Sequence, residues 1–91
     1  MIRTFKHKGL MQLFENGRSR LVNQQQKEKC IKRLDALDAA QRPDDMNIPG
    51  FGFHGLKGKP KRYGVTITGN WRITFGFDGV DAINVDLEDH H

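Results

Sequence analysis

The feature that most constrains the fold is an alternating pattern of apolar residues across the last third of the chain. Residues 62–91 read RYGVTITGNWRITFGFDGVDAINVDLEDHH, and apolar side chains take every second position in three successive runs. These positions are Tyr63, Val65, Ile67, Trp71, Ile73, Phe75, Phe77, Ile83, Val85 and Leu87. The runs are separated by Gly69-Asn70 and Asp78-Gly79, which are typical of hairpin turns. The pattern predicts an antiparallel sheet with one buried face and one polar face.

The connections between these strands are constrained as well. A two-residue loop in the first hairpin would place Ile67 opposite Arg72 and send the apolar rows to different faces. Keeping Ile67 beside Ile73 requires a three-residue connection or a G1-type bulge. The same holds for the second hairpin, where Phe75 is expected to meet Ile83. The residues expected on the polar face are Thr66, Arg72, Thr74, Asn84 and Asp86.

Two helices are expected ahead of the sheet. Leu10, Leu13 and Phe14 recur at helical spacing, which predicts a first helix of about ten residues. The Asn-Gly pair at 16–17 supplies its stop. Residues 2–5, IRTF, alternate and are expected to add a short strand to the sheet.

The second helix is predicted from an apolar stripe that follows a capping signal. Asn23 precedes Gln26 by three residues, as in a capping box. The stripe consists of Cys30, Ile31, Leu34 and Leu37, and the residues expected outside it are Lys29, Lys32, Arg33 and Asp35. The helix ends by Arg42, because the residue before a proline avoids helical geometry. Since the sheet needs a cover for its apolar face, we expect one α+β domain over residues 1–91, with two N-terminal helices packed on one face of a small antiparallel sheet.

The composition indicates a small globular protein of the cytoplasm. No apolar run approaches the ~20 residues of a membrane span. The opening MIRTFKHK has charges but no apolar segment after them, so no signal peptide is predicted. Cys30 is the single cysteine. It excludes an internal disulfide and is interpreted as a small core residue rather than a reactive thiol.

Positive charge is segregated along the chain. Residues 1–33 contain nine Lys or Arg and two acids, and residues 57–72 contain five Lys or Arg and no acid. The cations of the second segment are Lys57, Lys59, Lys61, Arg62 and Arg72. This segregation favours a polyanionic partner. A basic surface that is simply solvated is the alternative.

The histidines and one arginine expected near the polar face could transfer protons and stabilise negative charge. His54 lies in a glycine-flanked turn, and His90 and His91 follow Asp89 at the end of the last strand. Imidazole exchanges protons near neutral pH, and a nearby carboxylate can fix its tautomer. Arg72 can stabilise charge on a phosphate oxygen. These are the parts of metal-free RNA cleavage, in which the ribose 2′-OH attacks the adjacent phosphorus.

Other interpretations of the histidines stay open at this point. Two adjacent terminal histidines resemble the remnant of a purification tag, although Asp89 interrupts that pattern. Together with His54 they would also offer ligands to zinc. Neighbouring ligands on a strand point to opposite sides, however, and no His-x-x-x-His spacing occurs. No metal site and no cofactor are therefore predicted.

Three stretches of the chain resemble a known family. HGLKG at 54–58, GNWRITF at 69–75 and EDHH at 88–91 look like the HigB branch of the RelE/ParE toxin superfamily, and the N-terminal stretch MIRTFKHKGLMQLFENG is similar too. The resemblance implies a RelE-like fold. It also implies a ribosome-dependent mRNA endonuclease, the toxin of a type II toxin–antitoxin module, which cuts mRNA in the ribosomal A site without a metal ion.

The resemblance also implies residue roles. His54, Asp89 and His91 match the family's functional residues, whereas His90 stands where the family usually has tyrosine. His54 and His91 are expected to form the acid–base pair. Asp89 would orient it, His90 would assist, and Arg72 would stabilise the phosphorane. The residues expected to contact RNA are Lys57, Lys59, Lys61 and Arg62.

The partners implied are a helix-turn-helix, HigA-like antitoxin and the ribosome with its A-site mRNA. Operator DNA would be reached only through the antitoxin, and no membrane is involved. Two alternatives share the fold or the charge. One is a non-enzymatic, ParE-like inhibitor of gyrase, and the other is an RNA- or ribosome-binding module without catalysis.

Overall fold

The computed structural model describes residues 1–90 and has two helices ahead of a four-stranded antiparallel sheet. The elements are α1 (Lys8–Asn16), α2 (Lys27–Ala39), β1 (His54–Leu56), β2 (Arg62–Thr68), β3 (Trp71–Asp78) and β4 (Asp81–Asp89), with short 3-10 helices at Gln24–Gln26 and Pro43–Met46. The strands lie in the order β1-β2-β3-β4. The core lies between the helices and one face of the sheet. The predicted α+β architecture is confirmed, and neither α-helix of this described part is long and apolar enough to cross a membrane.

The ends of the helices use local capping contacts. At the start of α1, Nδ1 of His7 accepts the N–H of Leu10 at 3.1 Å. Gly17 ends the helix with a φ of 77°, a left-handed conformation that glycine adopts without a steric cost. The capping box expected at Gln26 is not completed, because its side-chain amide donates to Oγ1 of Thr68 at 3.0 Å. That contact ties the start of α2 to the sheet.

Helix α2 buries three residues of the predicted stripe and one further residue, and Ile31 of the stripe is partly buried. Cys30, Leu34 and Leu37 have no exposed surface. Burial raises the pKa of the Cys30 thiol to about 11, so the thiol is protonated and unreactive at neutral pH. The prediction that Arg33 lies outside the stripe is wrong, because only 7% of its surface is exposed. Backbone carbonyls on the sheet and on the loop before β1 accept its N–H groups.

The hairpin between β2 and β3 contains the predicted bulge. Its turn has two residues, so Thr68 pairs with Trp71, while Thr66 pairs with Arg72. Ile67 is thus an extra residue in β2. The bulge turns Ile67 back toward the core, where only 3% of its surface is exposed.

The hairpin between β3 and β4 also contains a bulge, and this one changes which residues enter the core. Ile83 pairs with Gly76, and two residues, Asn84 and Val85, stand opposite Phe75. Asn84 accommodates the bulge with a φ of 54°. The predicted meeting of Phe75 with Ile83 is therefore wrong. The bulge places Ile83 on the polar face, and Val85 takes the core position with no exposed surface.

The N-terminal segment extends the sheet less than the alternation predicts. Ile2 and Phe5 form isolated parallel bridges with Ala82 and Val85 of β4. The intervening residues do not pair as a continuous strand. The segment nevertheless covers the edge of β4, which would otherwise be open.

Candidate active site

The polar face of the sheet collects side chains from all four strands. Because side chains alternate along a strand, it carries His54, Arg62, Thr66, Arg72, Thr74, Asp86, Glu88 and His90. The pairings place Thr66, Arg72 and Glu88 in one row across the sheet. The row beside it runs from His54 through Gly64 and Thr74 to Asp86. His54, Arg72 and His90, which are far apart in sequence, thus share one surface.

His54 and Arg72 are in direct contact on this face. Nη1 of Arg72 donates to Nε2 of His54, and Nδ1 of His54 lies 2.9 Å from the carbonyl oxygen of Gly52. A guanidinium only donates and a carbonyl only accepts. Both contacts therefore require a neutral imidazole with its proton on Nδ1. The lone pair on Nε2 accepts the hydrogen bond from Arg72.

A glycine beneath the ring lets His54 lie against the sheet. Gly64 pairs with His54, and a Cβ at Gly64 would lie 3.4 Å from Cε1 and 3.6 Å from Nε2 of the imidazole. Any side chain longer than a methyl group would need the space that the ring occupies. The position of Nε2 of His54 therefore depends on glycine, which has no side chain, at residue 64.

The loop that precedes His54 is braced by Arg33 from helix α2. Nε of Arg33 donates to the carbonyl of Thr66 at 2.8 Å, and Nη2 donates to the carbonyl of Gly50 at 3.1 Å. The guanidinium also lies 4.4 Å from the ring centroid of Phe51, whose carbonyl accepts the N–H of Thr66 at 2.7 Å. Gly52, the residue after Phe51, provides the carbonyl that accepts the hydrogen bond from Nδ1 of His54. Arg33 thus supports His54 from the opposite side of the sheet.

A second group of contacts on the polar face is centred on Glu88. Its Oε2 accepts the hydroxyl of Thr74, and it lies 3.3 Å from Nη1 of Arg62 and 3.7 Å from Nε2 of His90. Nη2 of Arg62 also donates to Oγ1 of Thr74 at 3.0 Å and to the carbonyl of Asn84 at 3.1 Å. These side chains cover Thr74, which has no exposed surface.

These contacts keep Glu88 ionised. The hydrogen bond from Thr74 is the largest cause of a lowered pKa at Glu88, and the positive charges of Arg62 and of protonated His90 add to it. Partial burial opposes the shift without cancelling it. Glu88 is therefore a fixed carboxylate at neutral pH rather than a proton donor.

The C-terminal residues divide between the two faces. The N–H of His90 donates to the carbonyl of Asn70 at 2.8 Å, which fixes the chain just beyond β4. Asp89 pairs with Trp71, so alternation places its side chain on the face opposite to His90. His91 lies outside the described residues.

His54 and His90 lie on opposite sides of the two central strands of the sheet. Strands β1 and β4 are three strand spacings apart, which is about 14 Å between backbones. The side chains of Arg72 and Glu88 occupy the middle of this span, between His54 and His90. A phosphate placed over Arg72 would face a histidine on each side.

The cations predicted to contact RNA are of two kinds. Lys57 and Lys59 are exposed in the loop between β1 and β2, and Lys61 is exposed with its Nζ donating to the carbonyl of Leu56 at 3.1 Å. Arg62 is different, because 24% of its side chain is exposed and its guanidinium contacts three neighbours on the polar face.

Sequence reasoning did not assign Glu88 and Arg33 to the site, although the signals for both are present. Glu88 lies two residues before His90, so alternation alone puts the two on the same face. Arg33 lies three residues after Cys30 and four before Leu37, which is the spacing of the buried stripe. A charged residue at that spacing needs buried acceptors, and those come from a bulge and a loop that no local pattern indicates.

Comparison with known proteins relates the chain to one family over nearly its whole length. Residues 3–91 match the family described as RelE-like toxin of type II toxin-antitoxin system HigB. The chain is 41% identical over 92 residues to the Endoribonuclease HigB of Proteus vulgaris, with all of both chains covered. It is 36% identical over 90 residues to Toxin HigB-1 of Vibrio cholerae serotype O1, with 94% of each chain covered.

Proposed function

Because the chain belongs to the HigB family of RelE-like toxins from type II toxin–antitoxin systems, we propose that it is an endoribonuclease that cuts mRNA in the ribosomal A site. As a type II toxin it has an antitoxin partner. The observation that carries the proposal is the neutral His54, whose Nε2 lone pair lies beside Arg72 on a face that also holds His90. The activity named for the Proteus vulgaris relative agrees with it.

In the proposed reaction, His54 acts as the base. The ribose 2′-OH replaces Arg72 at Nε2 and gives its proton to the imidazole. The 2′-oxygen then forms a bond to the adjacent phosphorus, and the bond from phosphorus to the 5′-oxygen breaks. The leaving 5′-oxygen takes a proton from the acid, so the products are a 2′,3′-cyclic phosphate and a 5′-OH. DNA lacks the 2′-OH and is not a substrate.

Arg72 stabilises the charge that builds on the phosphate. Its Nε is a buried nitrogen that finds no hydrogen-bond partner within residues 1–90. The guanidinium is therefore not fully satisfied by the protein's own acceptors in that range. A planar fork of N–H groups matches two phosphate oxygens, and such donors contribute most when they are already in place.

The acid of the reaction is assigned to His91 from the family resemblance, with Asp89 as the residue that orients it. His91 itself lies outside the described residues. Its neighbour His90 lies on the polar face, and the N–H of His90 is bonded to the turn before β3. This anchoring places His90 on the side of Arg72 away from His54.

Ribosomal RNA is the proposed docking partner of the basic N-terminal region. An open groove between α1 and the start of α2 is lined by Lys8, Arg18, Arg20 and Lys27. The exposed Lys57, Lys59 and Lys61 lie in the loop that borders His54. Lysine and arginine contacts to phosphates fix position without reading bases. Sequence-independent docking of this kind suits a ribosomal site.

The remaining partners follow from the same assignment. We propose that the antitoxin is a helix-turn-helix, HigA-like protein, and that the complex reaches operator DNA only through it. The protein acts in the cytoplasm, where the translating ribosome is found. The exposed position of the polar face leaves it accessible to mRNA.

The experiment that tests this function compares histidine variants on programmed ribosomes. We expect His54→Ala and His91→Ala each to lower the cleavage rate by about 10²–10⁴-fold, the usual contribution of a general acid or base. Both should retain the far-UV circular dichroism spectrum of the parent and should no longer arrest growth. Cleavage is measured by primer extension on mRNA held in the A site.

His7→Asn is the matched control, because asparagine can replace the capping contact of His7 and no catalytic role is assigned there. A His54→Ala protein that remained fully toxic would exclude the proposed chemistry. Growth arrest with intact transcripts and DNA-damage signalling would indicate the ParE-like alternative. A salt-sensitive ribosome complex with intact transcripts would indicate a binding module.

A further inference from the structure

The contact between Glu88 and His90 on the polar face has no role in the proposed reaction. We propose that Glu88 is a positioning residue that holds His90 as an imidazolium, a cation directed toward the RNA phosphate. The identity of the substrate rests on the proposed function. The resemblance assigns no role to Glu88, and it places a tyrosine, which cannot carry a positive charge, where this chain has His90.

Glu88 is held in one place by groups beneath and beside it. Its backbone is in register with Arg72 at the centre of the sheet. The hydroxyl of Thr74, which has no exposed surface, donates to Oε2, and Nη1 of Arg62 lies 3.3 Å from the same oxygen. Nε2 of His90 approaches that oxygen to 3.7 Å, which is an ion-pair distance rather than a hydrogen bond.

The anchor of Glu88 extends to the bulge in β4. The carbonyl of Asn84 accepts Nη2 of Arg62 at 3.1 Å, and the N–H of Asn84 donates to Oγ1 of Thr4 at 2.8 Å. The bulge thus provides a fixed acceptor for Arg62. Because its guanidinium is already engaged by three neighbours, we assign Arg62 to holding Glu88 rather than to contacting RNA.

The charges around His90 do not all favour an imidazolium. The charged or titratable groups nearest His90 on the strands are His54 from β1, Arg62 from β2, Arg72 from β3, and Asp86, Glu88 and Asp89 from β4. Asp78 and Asp81 pair at the far end of the β3–β4 hairpin, and Tyr63 lies on the core face. The two arginines disfavour a further positive charge, and His54 is held neutral. Asp86 lies one row away, and Asp89 is on the other face. Glu88 is therefore the acid on this face that is placed to stabilise a charged His90.

The electrostatics of Glu88 agree with this geometry. The hydrogen bond from Thr74 is the largest cause of the lowered pKa of Glu88, and a positive charge on His90 adds to it. Coupling between two sites is reciprocal, so the carboxylate favours a protonated His90 ring by the same free energy.

The first test is an NMR titration of the histidine ring signals, without RNA, in the parent protein and in Glu88→Gln. Glutamine keeps an oxygen for Thr74 and Arg62 but removes the charge. We expect the His90 signals to change with pH over a lower range in Glu88→Gln than in the parent, because the variant lacks the carboxylate that faces Nε2 of His90. The exposed Glu15→Gln on α1 is the matched control and should not move them. Equal titrations of parent and Glu88→Gln would overturn the proposal.

Glu88→Asp is the second variant, which keeps the charge but withdraws it by one methylene. If Glu88→Gln fails to fold, Glu88→Asp carries the test. We expect the His90 signals of Glu88→Asp to move in the same direction by a smaller amount. An unchanged titration in a folded Glu88→Asp protein would then count against the contact.

The second test asks whether the cation matters for cleavage. In Glu88→Gln, we expect the alkaline limb of the pH–rate profile to move to lower pH. In a His90→Tyr background, adding Glu88→Gln should leave the profile where it was. A loss of rate that is equal at every pH and in both backgrounds would show a merely structural role. If the parent protein cleaves no mRNA while the NMR shift is present, the proposed function fails and the ion pair stands.

Discussion

At the scale of single residues, Arg72 both contacts the proposed base, His54, and is the residue proposed to stabilise the phosphate. In the resting protein its N–H occupies the lone pair of Nε2 on His54, which keeps that nitrogen unprotonated and directed over the sheet. The same guanidinium has a buried Nε without a partner in the described part of the chain. In the proposed reaction, the ribose 2′-OH takes the place of Arg72 at Nε2, and the guanidinium is then available to the phosphate. We therefore propose that one exchange of hydrogen-bond partners prepares both groups.

This arrangement predicts a large catalytic effect of Arg72→Gln. Glutamine keeps a polar N–H donor at this position, but it carries no charge for the phosphate. We expect the cleavage rate on ribosome-bound mRNA to fall by about 10²–10³-fold, as when a preorganised donor to a developing charge is removed. Primer extension at saturating protein measures this rate separately from ribosome binding.

Arg42→Gln is the matched control, because 74% of the side chain of Arg42 is exposed and its ion-pair partner is the nearby Asp45. Its cleavage rate should equal that of the parent. Equal rates for Arg72→Gln and Arg42→Gln would remove Arg72 from the chemistry. They would leave it as a structural neighbour of His54.

At the scale of elements, two β-bulges supply the acceptors that hold the site. At the bulge in β2, the carbonyl of Thr66 accepts Nε of Arg33, and the carbonyl of Ile67 lies 3.5 Å from Nζ of Lys29. At the bulge in β4, the carbonyl of Asn84 accepts Arg62. Bulges interrupt the ladder and free backbone groups. In both cases an arginine uses the freed carbonyl, one for the His54 loop and one for Glu88.

Arg33 is therefore expected to matter for stability as well as for activity. Replacing it by methionine keeps much of its apolar stem but leaves the carbonyls of Thr66 and Gly50 without their donors. We expect Arg33→Met to lower the free energy of unfolding by about 1–3 kcal/mol, the cost of leaving buried polar groups unsatisfied. Urea unfolding followed by Trp71 fluorescence measures the change.

The exposed Lys32 lies beside Arg33 on the same helix, and Lys32→Met is the matched control for stability. The urea concentration at which half of Lys32→Met is unfolded should stay close to that of the parent. A midpoint for Arg33→Met that matched Lys32→Met would mean that the loop before His54 does not depend on this brace. The folded Arg33→Met protein should also cleave more slowly, because the carbonyl that fixes Nδ1 of His54 is less well held.

The sequence allowed the elements to be predicted better than their contacts. The alternation of residues 62–91 predicted the hairpins and the polar face, and the register argument predicted a bulge near Ile67. The same alternation wrongly predicted a core position for Ile83, because a pattern of period two does not reveal on which strand a bulge falls. The network around Glu88 was not predicted either. It depends on the carbonyl that the second bulge presents, which is a tertiary feature.

At the scale of the whole molecule, the basic groove at the helices and the polar face of the sheet are separate surfaces. The groove lined by Lys8, Arg18, Arg20 and Lys27 lies at the helices, whereas His54, Arg72 and Glu88 lie on the uncovered face of the sheet. The helices cover the other face of that sheet. We therefore propose that the cations of the groove bind RNA from the helix side, and that the lysines of the loop after β1 add contacts beside His54.

The measurement that tests the central claim most directly is cleavage of A-site mRNA with a single 2′-deoxy substitution at the nucleotide whose 2′-oxygen attacks. The mechanism requires that hydroxyl as the nucleophile and His54 as the acceptor of its proton, so the deoxy position should stay intact while an unmodified message is cut to a 2′,3′-cyclic phosphate and a 5′-OH. Cleavage at the deoxy position at the parental rate, or products ending in a 3′-OH and a 5′-phosphate, would contradict it.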